Sequence, residues 1–278
     1  LRHLVAAGCS FTEWKTSWAY KLLDEAGEGY TLHNVAMCGI GNFTVSLNCV
    51  EKVTSLLEQG VPSDDIFVFV QWTGFFRPTL YNERFSQRLV PFDLLSDMPT
   101  LVSLFKEGPN GFVDTAASRD VPFWKNYFEN YYCLGAAAID NFDIILKTQW
   151  FLKAHSIKYK MFTAWDVLTS QEVGNVGLDK IQSPSQFSQN IYNNKNFELL
   201  KDYYPWASVF WNKLNMDNFW FCENENVKYG GITQWCQSNL DKSDWFVGDG
   251  DFHPSPTAHA EFSKQVVYPL LKSMEKIY

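Results

Sequence analysis

The first third of the chain alternates short apolar runs with segments of helical periodicity. The runs extend over His3 to Ala7, Tyr30 to Ala36 and Asp65 to Gln71, and the third is the most apolar segment of the chain. Strands that are apolar on both faces and separated by helices are typical of a parallel sheet covered on both sides. The sequence therefore predicts an α/β fold, a three-layer α/β/α sandwich around a mostly parallel, flavodoxin-like sheet.

Apolar residues recur at helical spacing between and after these runs. Helices are predicted over Ser17 to Ala26, Asn42 to Gln59, Ala136 to Ala154 and Pro256 to Ile277, and a further strand over Lys158 to Ala164. Gly60 marks the end of the second helix, and Ser255-Pro256 marks the start of the last. We expect these later elements to extend and cover the same sheet.

Two stretches without a clean period interrupt this pattern. They run over 72–135 and 165–245 and are rich in aromatic residues, which make up 17% of the chain. The regular parts, about 1–71, 136–164 and 246–278, are expected to supply the core. The sequence thus predicts a single domain over 1–278 with two irregular, aromatic-rich insertions.

Charge and hydropathy narrow the range of partners. A net charge of −8 and a pI near 5.1 would repel phosphate backbones, so we expect no nucleic-acid partner. The strongest apolar run, Ile66 to Phe76, is interrupted by Gln71 and Thr73 and is shorter than the ~20 residues that cross a bilayer. No membrane span is therefore expected. The first residues lack the pattern of a secretory leader, which favours a cytoplasmic location.

The cysteine pattern is that of free thiols in a reducing compartment. The six cysteines form no Cys-x-x-Cys pair and have no zinc-ligand spacing. Cys222 and Cys236 are the only two close enough in sequence to suggest a local bridge. We expect neither a metal nor another cofactor.

One segment near the start of the chain carries a candidate nucleophile. Gly8-Cys9-Ser10-Phe11-Thr12 lies between the first strand and the first helix, at the kind of strand end where open α/β sheets bind ligands. Ser10 is the candidate, and a turn or N-cap serine is the alternative interpretation. Cys9 is expected to point to the opposite side.

A second segment, Gly248 to Ser255, lies directly ahead of the last helix and contains Asp249, Asp251 and His253. A serine hydroxyl needs a general base, and an imidazole base needs a carboxylate on its other nitrogen. An aspartate two residues before a histidine can meet both needs. We prefer Asp251 as that acid, with Asp249 second, and expect His259 to be a core residue.

With these two segments in this order, the chain resembles the SGNH (GDSL-like) hydrolase family. Gly8 to Thr12 matches the family's nucleophile block, with Cys9 in place of the acid, and His253-Pro254-Ser255 matches its last block, with the acid displaced. The resemblance implies that Ser10 is the nucleophile and His253 the general base.

The family's second block supplies a glycine whose N–H helps to form the oxyanion hole. Asn34 to Asn42 is similar to that block, and Gly39 is the matching glycine. The resemblance implies that the N–H groups of Ser10 and Gly39 hold the oxyanion. Asn42, at the end of the block, is a candidate substrate-binding residue, and its Asn-Phe-Thr sequon is interpreted as incidental.

The third block departs from the family. There the family has a Gly-x-Asn segment whose asparagine donates to the oxyanion, but Val70 to Arg77 contains no asparagine. Thr73 is our first choice for the missing donor because its short side chain lies closest to the strand end. Gln71 and Arg77 are the alternatives, although Gln71 is expected to point into the sheet layers and Arg77 would have to fold back from the loop. Arg77 equally suits a substrate carboxylate or a surface salt bridge.

Two functions follow from these expectations. The first is a serine esterase that removes a small acyl group, such as acetyl, from a carbohydrate, so that its partner is a small-molecule or glycan ester. The second is a carbohydrate-binding or assembly protein that keeps the fold without turnover, because losing one oxyanion donor costs about 10²–10³ in rate. Tryptophans of the second insertion are expected either to line a sugar cleft or to pack: Trp206, Trp211, Trp220, Trp235 and Trp245.

Overall fold

The computed structural model describes residues 1–75, 80–82, 87–89, 134–168, 200–203, 205–225, 227–248 and 251–276. Its strands are β1 (Arg2–Ala7), β2 (Tyr30–Asn34), β3 (Ile66–Trp72), β4 (Leu80–Asn82), β5 (Gln87–Leu89), β6 (Lys158–Thr163), β7 (Phe246–Gly248) and β8 (Asp251–Pro254). Its α-helices are α1 (Ser10–Glu13), α2 (Trp18–Ala26), α3 (Asn42–Glu58), α4 (Leu134–Ala154), α5 (Leu200–Tyr203), α6 (Ser208–Trp211), α7 (Ile232–Asn239), α8 (Pro256–Phe262) and α9 (Tyr268–Glu275).

Four of these strands form one parallel sheet in the order β2-β1-β3-β6. The central strand β1 is paired on both sides, and Val5 lies opposite His33 of β2 and Val68 of β3. Every pairing in this sheet is parallel, so the connections between its strands must cross over, and helices provide them. The predicted α/β/α sandwich with a flavodoxin-like sheet is confirmed.

The two faces of the sheet carry separate apolar layers, because successive side chains of a strand point to opposite faces. Val5 and Ala7 of β1 pack with α3 and α4. Leu4 and Ala6 pack on the other face, with α2 and the carboxyl-terminal helices α8 and α9. All seven residues of β3 are buried, which explains why it is the most apolar run in the sequence.

The end of the second predicted insertion belongs to this sandwich. Phe219 bridges Met161 of β6 in parallel, and Trp220 N–H donates to the carbonyl of Met161 at 2.8 Å. Helix α7 then packs against the sheet. A Cβ on Gly231 would lie 2.2 Å from the carbonyl oxygen of Thr163, so only glycine permits this approach. The sequence pattern does not predict α7 because its eight residues include only three apolar ones, Ile232, Trp235 and Cys236, too few to establish a period.

The last predicted helix is divided into three parts. Ser255 caps its start by accepting a hydrogen bond from Ala258 N–H at 3.0 Å. Between α8 and α9 the turn Ser263–Val267 is a π-helix. Pro269 lacks the N–H that an α-helix would use at this point, and a wider turn accommodates that loss.

The cysteines that the structure describes are free thiols: Cys9, Cys38, Cys49, Cys222 and Cys236. Cys133 lies outside the described residues. The alternative of a bridge between Cys222 and Cys236 is therefore wrong, although both are buried. Burial raises the pKa of the Cys222 thiol to about 11, so it stays protonated at neutral pH.

The described residues contain neither a membrane-spanning helix nor a cluster of metal ligands. Within those ranges, none of the helices combines the length and the apolar character needed to cross a membrane. Nor do three or more His, Cys, Asp or Glu side chains in the same ranges gather as a metal site would require.

Candidate active site

Ser10 is the first residue of α1, immediately beyond the carboxyl end of β1. Cys9 has extended backbone angles (φ −94°, ψ −157°), and its carbonyl accepts hydrogen bonds from Thr12 N–H at 2.9 Å and Glu13 N–H at 3.2 Å. The chain therefore turns sharply from strand to helix at Cys9. Ser10 is 5% exposed at this turn.

A buried hydrogen-bond cluster holds the turn in place. Thr12 Oγ1 donates to Gln71 Oε1 at 2.8 Å and accepts from Trp18 Nε1–H at 3.1 Å. A Cβ on Gly8 would lie 2.4 Å from Thr12 Oγ1, so the close approach of strand and helix requires glycine here. Gln71 Nε2 donates to the carbonyl of Trp72 at 3.1 Å. Gln71 is fully buried in this cluster and points into the sheet layers, as expected; its amide donates to the Trp72 carbonyl and to Cys9 Sγ, so it does not serve an oxyanion.

His253 and Asp251 lie two residues apart on β8, which pairs antiparallel with β7. Side chains at this spacing share one face of a strand. Asp251 Oδ1 accepts from the backbone N–H of His253 at 2.9 Å and lies 2.5 Å from its Nδ1. The aspartate therefore holds both the backbone and the ring of His253.

The imidazole of His253 also reaches Ser10. Its Nε2 lies 2.7 Å from Ser10 Oγ, although 243 positions separate the two residues. Since a carboxylate can only accept, Nδ1 donates to Asp251, and Nε2 is left to accept the proton of Ser10. The predicted approach of Ser10, His253 and Asp251 is confirmed. The side chains of His253 and Asp251 are 27% and 43% exposed.

Aromatic rings enclose the imidazole. The ring centroids of Trp14 and His253 are 4.6 Å apart with a 31° tilt, and those of Phe11 and His253 are 5.3 Å apart. Trp165 meets Phe11 edge-on at 5.8 Å. Trp14 is not among the predicted site residues. It lies four residues after Ser10, about one helical turn, and that spacing could have indicated that the two side chains are neighbours.

The Gly39 loop lies beside the same strand end. Met37 N–H donates to the carbonyl of Gly8 at 3.2 Å, which ties the loop to the Ser10 turn. Gly39 has φ +71°, a left-handed conformation that favours glycine. Its role as an oxyanion donor stays a prediction.

Asn42 does not face a substrate. It is 1% exposed, its Nδ2 donates to the carbonyl of Thr73 at 2.9 Å and to Asn141 Oδ1 at 2.7 Å, and its Oδ1 accepts from Thr73 N–H at 2.8 Å. The interpretation of Asn42 as a substrate-binding residue is therefore wrong, because its amide is used to join α3, α4 and the turn after β3. The same burial denies a glycosylating enzyme access to this asparagine in the folded chain.

Thr73 is fully buried at the end of β3, and its Oγ1 has no hydrogen-bond partner among the described residues. An unpaired buried hydroxyl costs free energy, about 1–3 kcal/mol. Its role as the third oxyanion donor stays a prediction. Arg77 and Asp249 lie outside the described residues.

The tryptophans of the second insertion mostly pack. Trp211 and Trp235 are buried in the two apolar layers, and Trp220 and Trp245 are half-buried against one of them. Of these five tryptophans, Trp206 alone is mostly exposed, at 78%. The rings that contact His253 are instead Trp14 and Phe11.

A second histidine, His259, is buried behind the site on α8. It is 1% exposed, and neither ring nitrogen has a hydrogen-bond partner among the described residues. Burial, with a smaller contribution from nearby His253, lowers the pKa of His259 to about 3. His259 is therefore a neutral core residue, as predicted.

His259 should make the fold sensitive to acid. Its ordinary pKa is 6.5. The unfolded chain therefore binds a proton that the folded chain excludes, and stability falls as the pH drops below that value. We expect the free energy of unfolding to lose about 2 kcal/mol from this group between about pH 7.5 and pH 5. Urea unfolding at both pH values measures the loss. His259→Leu should remove this component, and an unchanged pH dependence in that variant would contradict the assignment.

No protein-family model matches this sequence, and no curated protein matches it at a significant level. A functional assignment must therefore rest on the geometry of the site and on the resemblance of its blocks.

Proposed function

We propose that this protein is a serine esterase of the SGNH type. The observation that carries the proposal is the continuous chain of contacts from Ser10 Oγ to His253 Nε2 at 2.7 Å and from His253 Nδ1 to Asp251 Oδ1 at 2.5 Å. Ser10 also occupies the strand-to-helix turn, and His253 precedes the last helix, in the same order as in that family. A serine with a hydrogen-bonded, oriented base is suited to nucleophilic acyl transfer.

The proposed reaction has two halves. Ser10 Oγ attacks the ester carbonyl while His253 Nε2 takes the hydroxyl proton, and Asp251 stabilises the imidazolium that results. The tetrahedral intermediate collapses, the C–O bond of the alcohol breaks, and His253 gives its proton to the leaving oxygen. Water, deprotonated by His253, then attacks the acyl-enzyme and releases the carboxylic acid and free Ser10.

Backbone donors are proposed to hold the oxyanion. The N–H of Ser10 and the N–H of Gly39 are the two donors that the family resemblance implies, and the bond from Met37 N–H to the Gly8 carbonyl keeps their loops together. Such donors act where charge develops in the transition state. Thr73 is the proposed third donor. It lies in the turn after β3, where the family has its asparagine, and its hydroxyl has no hydrogen-bond partner among the described residues.

The acyl group is proposed to be small, such as acetyl, and the alcohol to be a carbohydrate. Ser10 is only 5% exposed, and Phe11 beside it is 6% exposed, which leaves little room for a long acyl chain at the nucleophile.

A second candidate is a binding protein of the same fold without turnover. The observation that favours it is the absence of an asparagine between Val70 and Arg77, where the family places an oxyanion donor. Such a protein would bind a sugar but would form no acyl-enzyme.

Covalent labelling distinguishes the two candidates. A fluorophosphonate probe reacts with an activated serine: the Oγ–P bond forms, fluoride leaves, and the proton passes to the base. We expect one label per chain, mapped by mass spectrometry to Ser10. Ser273, exposed on α9, provides the matched control, since Ser273→Ala should label fully and Ser10→Ala should not. An unlabelled wild-type chain, or a label that persists in Ser10→Ala, would sink the esterase proposal.

A further inference from the structure

The mechanism places the leaving alcohol beside His253. The same Nε2 that removes the Ser10 proton must deliver it to the alcohol oxygen, so that oxygen lies within hydrogen-bond reach of the imidazole when the ester breaks. Whatever surrounds His253 therefore contacts the alcohol half of the substrate, while the surroundings of Ser10 and Gly39 contact the acyl half.

The groups around His253 are flat apolar rings. Trp14 lies against the imidazole with ring centroids 4.6 Å apart, and Trp165 continues the aromatic surface through Phe11, at 5.8 Å. Phe11 is buried, but Trp14 and Trp165 are both half-buried, so part of each indole remains accessible to a bound molecule. An indole face offers a wide apolar surface, and its N–H adds a polar edge.

Negative charge lies near these rings. Asp251 bonds the imidazole on which Trp14 packs, and its side chain is 43% exposed. A carboxylate repels anions. The surroundings of His253 therefore favour a neutral alcohol with an apolar face.

We propose that Trp14 and Trp165 form the alcohol subsite of this enzyme, and that the alcohol is a neutral pyranose sugar. A pyranose has a face of C–H groups that suits an indole, a rim of hydroxyls that suits the polar N–H edge of an indole, and no charge for Asp251 to repel. The inference rests on the proposed esterase function and adds to it the residues that select the alcohol. It also moves sugar recognition away from the tryptophans of 205–245.

The test compares esters that share the acetyl group and differ only in the alcohol. The substrates are a methyl glucoside acetylated on its primary hydroxyl, cyclohexylmethyl acetate and ethyl acetate. We expect Trp14→Ala to lower kcat/KM for the glucoside by about 10- to 50-fold, the effect of exposing one apolar ring face to water. Trp14 also packs on His253, so the same variant should lower kcat/KM for ethyl acetate as well, but by a factor at least about 3-fold smaller than for the glucoside, because ethanol is too small to use the subsite.

Further variants complete the design. Trp165→Ala should show the same selective loss of kcat/KM for the glucoside, and Trp14→Phe should retain most of the glucoside activity. Trp206 is 78% exposed, and Trp206→Ala should change kcat/KM for neither the glucoside nor ethyl acetate. Equal losses on the glucoside and ethyl acetate in Trp14→Ala would overturn the subsite. If cyclohexylmethyl acetate were hydrolysed with the same kcat/KM as the glucoside, the proposal that the alcohol is a sugar would be wrong.

The two proposals fail separately. If wild-type chain hydrolyses none of the three esters, or if Ser10→Ala hydrolyses them as well as wild type, the esterase function itself is wrong. If hydrolysis depends on Ser10 but not selectively on Trp14, the function stands and the sugar subsite is wrong.

Discussion

Replacing Ser10 by alanine should lower kcat/KM for a short acyl ester by about 10⁵-fold, leaving only what binding and the oxyanion donors contribute. The physical reason is that, in the proposed mechanism, His253 Nε2 removes a proton from Ser10 Oγ, which lies 2.7 Å away. Release of p-nitrophenol from p-nitrophenyl acetate measures the rate. Serine and alanine differ by one oxygen, so the fold should be preserved, and thermal unfolding of the variant checks this.

The same assay provides its own controls. Ser273→Ala, on the exposed side of α9, should keep the wild-type rate. The double variant Ser10→Ala/His253→Ala should be no slower than Ser10→Ala alone, because nucleophile and base act as one unit and their losses do not add. A variant lacking Ser10 that still releases p-nitrophenol at the wild-type rate would show that Ser10 is not the nucleophile.

Asp251→Asn should lower kcat/KM by about 10³–10⁴-fold with little change in shape. Asp251 Oδ1 now accepts from both Nδ1 and the backbone N–H of His253. An amide there has no negative charge to stabilise the imidazolium. If its NH₂ group faces Nδ1, the proton moves to Nε2, and His253 can no longer accept from Ser10. The p-nitrophenyl acetate assay measures this loss.

Asp249→Asn is the matched comparison for that variant, since it makes the same change two residues earlier. We expect its rate to stay within about 3-fold of wild type, as for a substitution outside the reacting unit. A larger loss in Asp249→Asn than in Asp251→Asn would show that the wrong carboxylate was assigned.

The centre of the sheet could be predicted because β1 and β3 are apolar on both faces. β1 and β3 are buried between two helical layers, so they appear in the sequence as continuous apolar runs with little else in the chain to resemble them. Contacts that depend on single atoms could not be predicted in this way. The Gly231 approach to Thr163 and the π-turn before Pro269 are such cases, since neither has a periodicity.

The candidate site, too, could be predicted only in part. Ser10 and His253 could be chosen because their two segments occur in a family's order and because histidine is scarce, with only five in the chain. Asn42 is assigned to the substrate by position alone, and the structure uses its amide to join α3, α4 and the turn after β3. Sequence distance says nothing about which polar side chains satisfy one another in the interior, whereas a buried amide must find such partners.

The contact of Ser10 with His253 on the β7–β8 hairpin has a consequence for the synthesis of the chain on the ribosome. A ribosome adds about 5–20 residues per second. The serine therefore exists roughly 12 to 50 s before the imidazole 243 positions later is made. During that interval the nascent chain holds a nucleophile without its base. A fragment that lacks residues 251–253 has no base and cannot hydrolyse an ester by the proposed mechanism. During refolding of the full chain, the rate at which activity returns should therefore report the rate at which the hairpin docks against Ser10.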